Sequence, residues 1–244
     1  MILELSDNKI FKECFNGVSR IVDECTIECD SAGIRLRALD RSHISFINLN
    51  FNASLFDEYE CDVPETVSID TIDFNQILKR CKGDDVLKIN TADNDLIITF
   101  DGDSKRTFKL RLIDLDYDTP NPPYVDLPVN LNLNCNIITD ALKDISLYSE
   151  KITFNVDGDY LKITGGDEYG SYETKFIHGE DVNEDVKCSF SLDKIDDMLK
   201  LSSICDVCSL YLGNDMPLKL VLNINKDDGF ISFLLAPRLE EEGV

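Results

Sequence analysis

Only two histidines, His43 and His178, occur in the 244 residues. His43 stands in ALDRSHIS beside Asp40 and Ser42, but three residues within four positions do not build a catalytic triad by adjacency alone. No GxSxG, P-loop, GxGxxG or HExxH pattern is present, and the many aspartates fall in no recognisable two-metal spacing. That silence argues only weakly against an enzyme, so a metal-dependent hydrolase built on the aspartates stays open. Long apolar runs are missing too: nothing approaches the roughly 18–20 residues of a membrane span. The N-terminal MILELSDNKIFKEC carries acids where a signal peptide has a basic and then an apolar region. A soluble intracellular chain with no membrane partner is expected.

Bases are scarce, 24 against 47 acids, for a net charge of −23. At first sight this argues against a nucleic-acid partner. Because 43% of the residues are hydrophobic and fall in clear periods, the charge indicates an acidic solvated exterior around a core, not disorder. The nine cysteines are an odd count, scattered through helix and strand patterns, and are expected to be reduced, buried small residues. Cys25 and Cys29 share one face of an alternating strand with Ile27. Cys205 and Cys208 form a CxxC with no second pair to complete four zinc ligands, which favours a structural role over a redox or metal-binding one.

The chain repeats itself. Residues 8–22 have the pattern of an amphipathic helix followed by short alternating strands, and residues 136–148 open the same run again. Residues 71–82 form a short helix between strand-like VSID and VLKIN, echoed by residues 193–203 between CSFS and VCSLYL. An offset of roughly 120–127 residues is too long for a solenoid and predicts two similar domains. The expected fold class is α+β, each domain an antiparallel sheet with two helices. Residues 1–112 and 127–244 are the domains, and 113–126 is the linker between them. The segment around that linker, LIDLDYDTPNPPYVDLP, has four prolines and four aspartates and little alternation. It is either a plain spacer or, through Leu115, Tyr117, Pro120 and Pro122, one border of a groove.

Helical-wheel positions separate an apolar from a polar face in each helix. In the first, Ile10, Phe11, Cys14, Phe15, Val18, Ile21 and Val22 point inward, while Lys9, Lys12, Asn16 and Arg20 cluster opposite. In the second, Phe74, Ile77, Leu78 and Cys81 are inside, with Asn75, Gln76, Lys79 and Lys82 outside. The third turns Thr139, Lys143 and Ser146 outward. In the fourth, Lys194 and Lys200 share the exposed side with Asp193, Asp196 and Asp197. Any soluble helix has a charged face, yet a chain this acidic collects bases and neutral polar groups on three of four.

The stretch GIRLRALDRSHISFINL, the linker's opening LIDLD and the C-terminal LLAPRLEEE resemble the DNA sliding clamps of the proliferating cell nuclear antigen family, archaeal and eukaryotic. The resemblance covers essentially the whole chain, in order. It implies a clamp fold assembling into a pseudo-sixfold ring, here a homotrimer, with helices inside around double-stranded DNA and sheets outside. It implies no catalysis and no cofactor. The function implied is a sequence-independent processivity factor for DNA polymerase, placed on DNA by a clamp loader and recruiting flap endonuclease and DNA ligase. The compartment would be the cytoplasm in an archaeon or the nucleus in a eukaryote. Carried over by alignment, Leu39, His43, Ile44, Pro120, Pro122, Pro217, Leu234, Ala236 and Pro237 would receive a partner's short peptide. Lys12, Lys79, Lys143 and Lys200 would face DNA, alongside Lys9, Asn16, Arg20 and Lys82 of the wheel faces. Asp193 and Asp197 make the fourth helix more acidic than the family keeps it.

Ring closure is expected by strand addition between residues 104–112 of one subunit and 169–177 of the next, head to tail. Phe108 and Leu110 alternate there with Lys109 and Arg111, opposite Tyr172 and Lys175. The simpler reading is that the basic residues merely protect a sheet edge. A monomeric adaptor that uses only the linker groove is the remaining alternative.

Overall fold

The computed structural model describes residues 1–116, 119–182 and 184–239. Tyr117 of the linker and Glu240–Glu242 of the tail motif lie outside them. Two compact units divide the chain: Met1–Pro122 with Asn223–Ile231, and Pro123–Leu222 with Ser232–Val244.

The first unit runs β1 (Ile2–Leu5), α1 (Lys9–Ile21), β2 (Glu24–Asp30), β3 (Gly33–Leu39), β4 (Ser45–Asn52), β5 (Glu58–Glu60), β6 (Glu65–Asp70), α2 (Thr71–Leu78), β7 (Val86–Ala92), β8 (Asp95–Asp101) and β9 (Lys105–Arg111). The chain continues with β10 (Val129–Asn134), α3 (Cys135–Ile145), β11 (Lys151–Asp157), β12 (Tyr160–Gly166), β13 (Ser171–Ile177), β14 (Val186–Ser191), α4 (Leu192–Leu199) and β15 (Val207–Leu212) of the second unit, and ends with β16 (Leu218–Ile224) and β17 (Gly229–Leu235), whose facing ends 223–231 belong to the first. Apart from the short β5, the order strand, helix, three strands occurs four times along the chain.

Within each unit the two copies exchange their first strands. β1 lies beside β7, and β6 beside β2. In the second unit β10 lies beside β15, and β14 beside β11. All these pairings are antiparallel, with hairpins closing the runs between them. Turn chemistry fixes several hairpins: Asp93 (φ 53°) sits between the paired Ala92 and Asp95, and Gly158 (φ 54°) between Asp157 and Tyr160. These left-handed positions suit two-residue turns.

Strand hands over to helix without a loop at three of the four junctions, because one residue ends the strand and caps the helix. Asp70 accepts the Asp73 N–H at 2.9 Å, and Asn134 accepts that of Asn136 at 2.9 Å. Asn8 at the start of α1 behaves differently. Its side-chain amide donates to the carbonyls of Asp85 (2.7 Å) and Lys82 (3.0 Å) and so fixes the turn after α2.

The core of the first unit is aromatic. Phe11, Phe15, Phe51 and Phe74 are all buried, with Phe11–Phe15 centroids 4.7 Å apart and Phe15–Phe74 edge-to-face at 4.9 Å. Each ring contributes about 1.5–3 kcal/mol through burial. In the second unit Ile138, Leu142, Ile145, Phe154, Phe190 and Met198 fill the corresponding space.

Two readings from the wheel are corrected. The second helix ends at Leu78, not Lys82, because Arg80 and Cys81 bond back three residues, to Ile77 and Leu78, in a tighter turn. Asn75 is not outward: it is 5% exposed, and its amide donates to Asn16 Oδ1 (3.2 Å) and Ser19 Oγ (2.8 Å) of α1. Asn75 therefore bonds the two helices side by side. Asn75→Ala is expected to cost about 1–3 kcal/mol by leaving those partners unpaired. Gln76→Ala, on the exposed neighbour, is expected to stay within about 0.5 kcal/mol; urea unfolding of both variants checks the difference.

Candidate nucleic-acid, peptide and edge surfaces

The helix pair of the first unit presents most of the expected cations. Lys9 and Lys79 are exposed and enter no ion pair among the described residues. Arg20 is exposed as well, and Lys82 is 3.6 Å from Asp103. Lys12 is half-buried, and its ammonium donates to the Cys81 carbonyl at 2.8 Å. It thus caps the turn that follows α2, an attachment the wheel did not reveal. Asn16, also half-buried, is held by Asn75. In the second unit Lys143 pairs with Asp140 at 2.9 Å, and Lys200 with Asp196 at 2.5 Å. The hydrogen bond that the Lys143 ammonium donates to Asp140 holds it above its usual pKa.

The LDRSHI stretch forms a tight turn between β3 and β4 organised by one carboxylate. Asp40 is 4% exposed; its Oδ1 accepts the N–H groups of Ile44 (2.8 Å) and Ser45 (2.9 Å), and its Oδ2 the Ser42 hydroxyl (2.6 Å). The acid therefore serves backbone and serine, not a histidine ring, and no triad forms. His43 takes a left-handed φ of 57° to close the turn. The outcome is that Leu39 and Ile44 stay 40% and 43% exposed at the two ends of a turn that Asp40 fixes. Pro120 is half-buried and Pro122 exposed; between them Asn121 accepts from Arg37 at 3.3 Å. In the second unit Pro217, Leu234, Ala236 and Pro237 are all half-buried, and the Arg238 N–H donates to Ser189 O at 2.8 Å, fixing the start of the tail.

Both strands expected to close a ring lie at the margin of their sheets, β9 beyond β8 and β13 beyond β12. On β9, Leu110 is buried and Phe108 packs on Phe100 with centroids 5.2 Å apart, while Lys109 and Arg111 face out. Arg111 reaches Asp95 at 3.4 Å. On β13, Tyr172 is half-buried, and burial first, with Asp144 and Asp140 nearby, pushes its hydroxyl pKa up. Lys175 lies over the Tyr160 ring at 3.8 Å. By contrast β4, the last strand of the first motif, is met within its unit by residues 223–231: Asn52 N–H donates to Asp228 O at 2.9 Å.

The cysteines are free thiols, eight buried and Cys205 half-exposed. Burial pushes Cys81 up to about 11 and Cys188 to about 12. Cys208 shares a hydrogen bond with Cys135 at the start of α3, while Cys205 donates to Val207 O at 2.8 Å. Among the described residues no group of three or more His, Cys, Asp or Glu is arranged to hold a metal ion. None of their helices is long and apolar enough to cross a membrane.

A fourfold strand–helix–three-strand repeat, basic residues gathered on helices of an acidic chain, and regular strands at sheet margins define a class: a duplicated clamp-type α+β fold. A family profile described as "Proliferating cell nuclear antigen, N-terminal domain" matches residues 1–120. The chain is 49% identical over 239 residues to a DNA polymerase sliding clamp of Methanobrevibacter smithii, across 98% of each. It is 42% identical over 239 residues to one from Methanothermobacter thermautotrophicus, again across 98% of each. The solved PCNA2-PCNA3 complex from Sulfolobus tokodaii matches with a TM-score of 0.89 at 26% identity, over 98% of this chain and 100% of that one. The chain belongs to the proliferating cell nuclear antigen family of DNA polymerase sliding clamps.

Thiol accessibility gives a direct check on the packing of these surfaces. A disulfide-exchange dye is expected to react rapidly with Cys205 alone in the folded protein and with all nine cysteines in denaturant. Fast reaction of Cys135 or Cys208 would contradict the closed packing of β15 against α3.

Proposed function

We propose that the chain is a replication clamp: three copies close into a ring around duplex DNA, helices turned to the duplex and sheets outward, and the ring tethers DNA polymerase to its template. The observation that carries the closure is the state of the sheet margins. The outer side of β4 is met by residues 223–231, whereas β9 and β13, the equivalent last strands of the second and third motifs, end their sheets. Both are seven residues long and regular. A margin of that kind exposes a row of main-chain donors and acceptors to any compatible strand. β9 brings Lys105, Lys109 and Arg111, while Glu173 lies on β13 with Asp167 and Glu168 just before it, so opposite charges favour a head-to-tail pairing. On this reading Phe108, Leu110, Tyr172 and Lys175 belong to the subunit interface.

The DNA contact is proposed to be electrostatic and indifferent to sequence, through exposed bases such as Lys9, Arg20, Lys79 and Lys82. Phosphate contacts of that kind carry no base information and weaken with salt, which suits a ring that slides. Partner enzymes, among them clamp loader, flap endonuclease and DNA ligase, are proposed to dock by a short peptide with apolar or aromatic anchors. Leu39, His43 and Ile44 of the first unit would receive it, with Pro120 and Pro122 of the linker and Pro217, Leu234, Ala236 and Pro237 of the second unit. A few such buried anchors carry most of the energy of a peptide interface.

Reversing charge in Lys109→Glu with Arg111→Glu is expected to convert trimers to monomers in sedimentation and to abolish the gain in polymerase product length on primed circular DNA. Intact trimers in that variant would place the interface elsewhere. Ile44→Ser with Leu234→Ser is expected to remove peptide binding in calorimetry, a loss of at least about 2 kcal/mol, while the trimer persists. Unchanged affinity would move the peptide site to another surface.

A further inference from the structure

The two helix pairs of this chain carry opposite net charge. α1 and α2, with the turn after α2 as far as Lys82, hold the six bases Lys9, Lys12, Arg20, Lys79, Arg80 and Lys82 against two acids, Glu13 and Asp73. α3 and α4, with the turn Lys200–Ser203, hold three bases, Lys143, Lys194 and Lys200, against five acids, Asp140, Asp144, Asp193, Asp196 and Asp197.

The ion pairs deepen that difference. Lys143 is held by Asp140 at 2.9 Å and Lys200 by Asp196 at 2.5 Å, both within their own helical segments. In the first unit Lys9, Lys79 and Arg80 are exposed and enter no ion pair among the described residues. An exposed ion pair is weak and can be broken by a competing phosphate. What decides is the charge left behind. An eight-residue helix such as α4 is only about 12 Å long, comparable with the Debye length of about 8 Å at physiological salt. A phosphate that displaced Asp196 from Lys200 would therefore still feel Asp193, Asp197 and the released carboxylate. A phosphate arriving at α1 and α2 displaces no carboxylate from Lys9 or Lys79 and meets net positive charge.

We infer that each chain grips DNA with one helix pair only: phosphates are held by the α1–α2 pair, and the α3–α4 pair is an acidic spacer that the duplex passes without contact. The inference rests on the reading of the chain as a sliding clamp, and it narrows that reading. A closed trimer then offers three phosphate-binding arcs instead of six, and Lys143 and Lys200 are internal counter-charges rather than DNA contacts. The aspartates, by this account, set how strongly the ring holds its track.

The test is the salt dependence of binding to a short blunt-ended duplex, read by fluorescence anisotropy on full-length trimers between about 50 and 200 mM salt. Each phosphate contact contributes about 0.9 to the slope of log K against log salt. Lys9→Ala with Lys79→Ala is expected to lower the slope by about two for each subunit engaged. Lys143→Ala with Lys200→Ala is expected to change it by less than about half a unit. Asp140→Asn with Asp196→Asn, which releases both lysines, is expected to raise it by about two per subunit. Sedimentation confirms the trimer for each variant; if an alanine pair fails to assemble, the asparagine variant decides alone, and no gain in slope overturns the inference. Equal losses from the two alanine pairs overturn the unequal division and leave the clamp reading standing. Absence of any salt-dependent binding by the unaltered protein overturns the clamp reading itself, and the inference with it.

Discussion

Everything in this structure depends on the exchange of first strands within each unit. β1 completes the sheet of the second motif and β6 that of the first, so neither half of the unit has a closed hydrogen-bond ladder alone. The same exchange ties β10 to β15 and β14 to β11. It brings two helices together over each core, and in the first unit the contact is made specific by Asn75 bonding across to Asn16 and Ser19. The sheets end at β5 and β9, at β10 and β6, and at β13 and β14, so that two of these margins, β9 and β13, are the last strands of motifs. The last strand of the first motif, β4, is met by residues 223–231, whereas β9 and β13 have no further strand beyond them among the described residues.

Charge is the second constraint. A net charge of −23 does not describe what any ligand meets, because charges farther apart than the Debye length are screened. Bases are few, and the structure spends several of them internally. Lys12 caps a turn, Arg106 pairs with the buried Asp85, and Lys88 bridges to Glu4 at 2.9 Å. The cations left exposed on α1 and the turn after α2 are therefore the informative ones, and the acids around Lys143 and Lys200 are informative for the opposite reason.

Much of this was legible in the sequence, and the reasons differ by feature. The helices were visible because Phe11, Cys14, Phe15 and Val18 recur at helical spacing and all face the core. The strands at the sheet margins could be picked out because β9 and β13 alternate apolar and charged residues beside turns. Asn75 was misplaced because a wheel describes one helix in isolation and cannot see that α1 covers the side on which this residue lies. Lys12 was read as part of a solvated stripe for the same reason; its long side chain reaches a carbonyl 69 positions away. The early end of α2 rests on three-residue back-bonds that no composition signal marks. The role of Asp40 was hidden by its neighbour, since a histidine beside an acid suggests chemistry while the acid in fact organises the backbone that displays Leu39 and Ile44. The short β5 has too few residues to show any period.

The central claim, that the margins of β9 and β13 are paired between copies, is tested most directly by amide hydrogen exchange on the unaltered protein at concentrations where the ring is assembled. The outward-facing amides of both strands, which β8 and β12 do not use, are predicted to exchange as slowly as those of the interior strands beside them and to become fast together on dilution to monomers. Fast exchange of those amides at every concentration, with β8 and β12 still protected, would show that the margins stay open and would contradict the account.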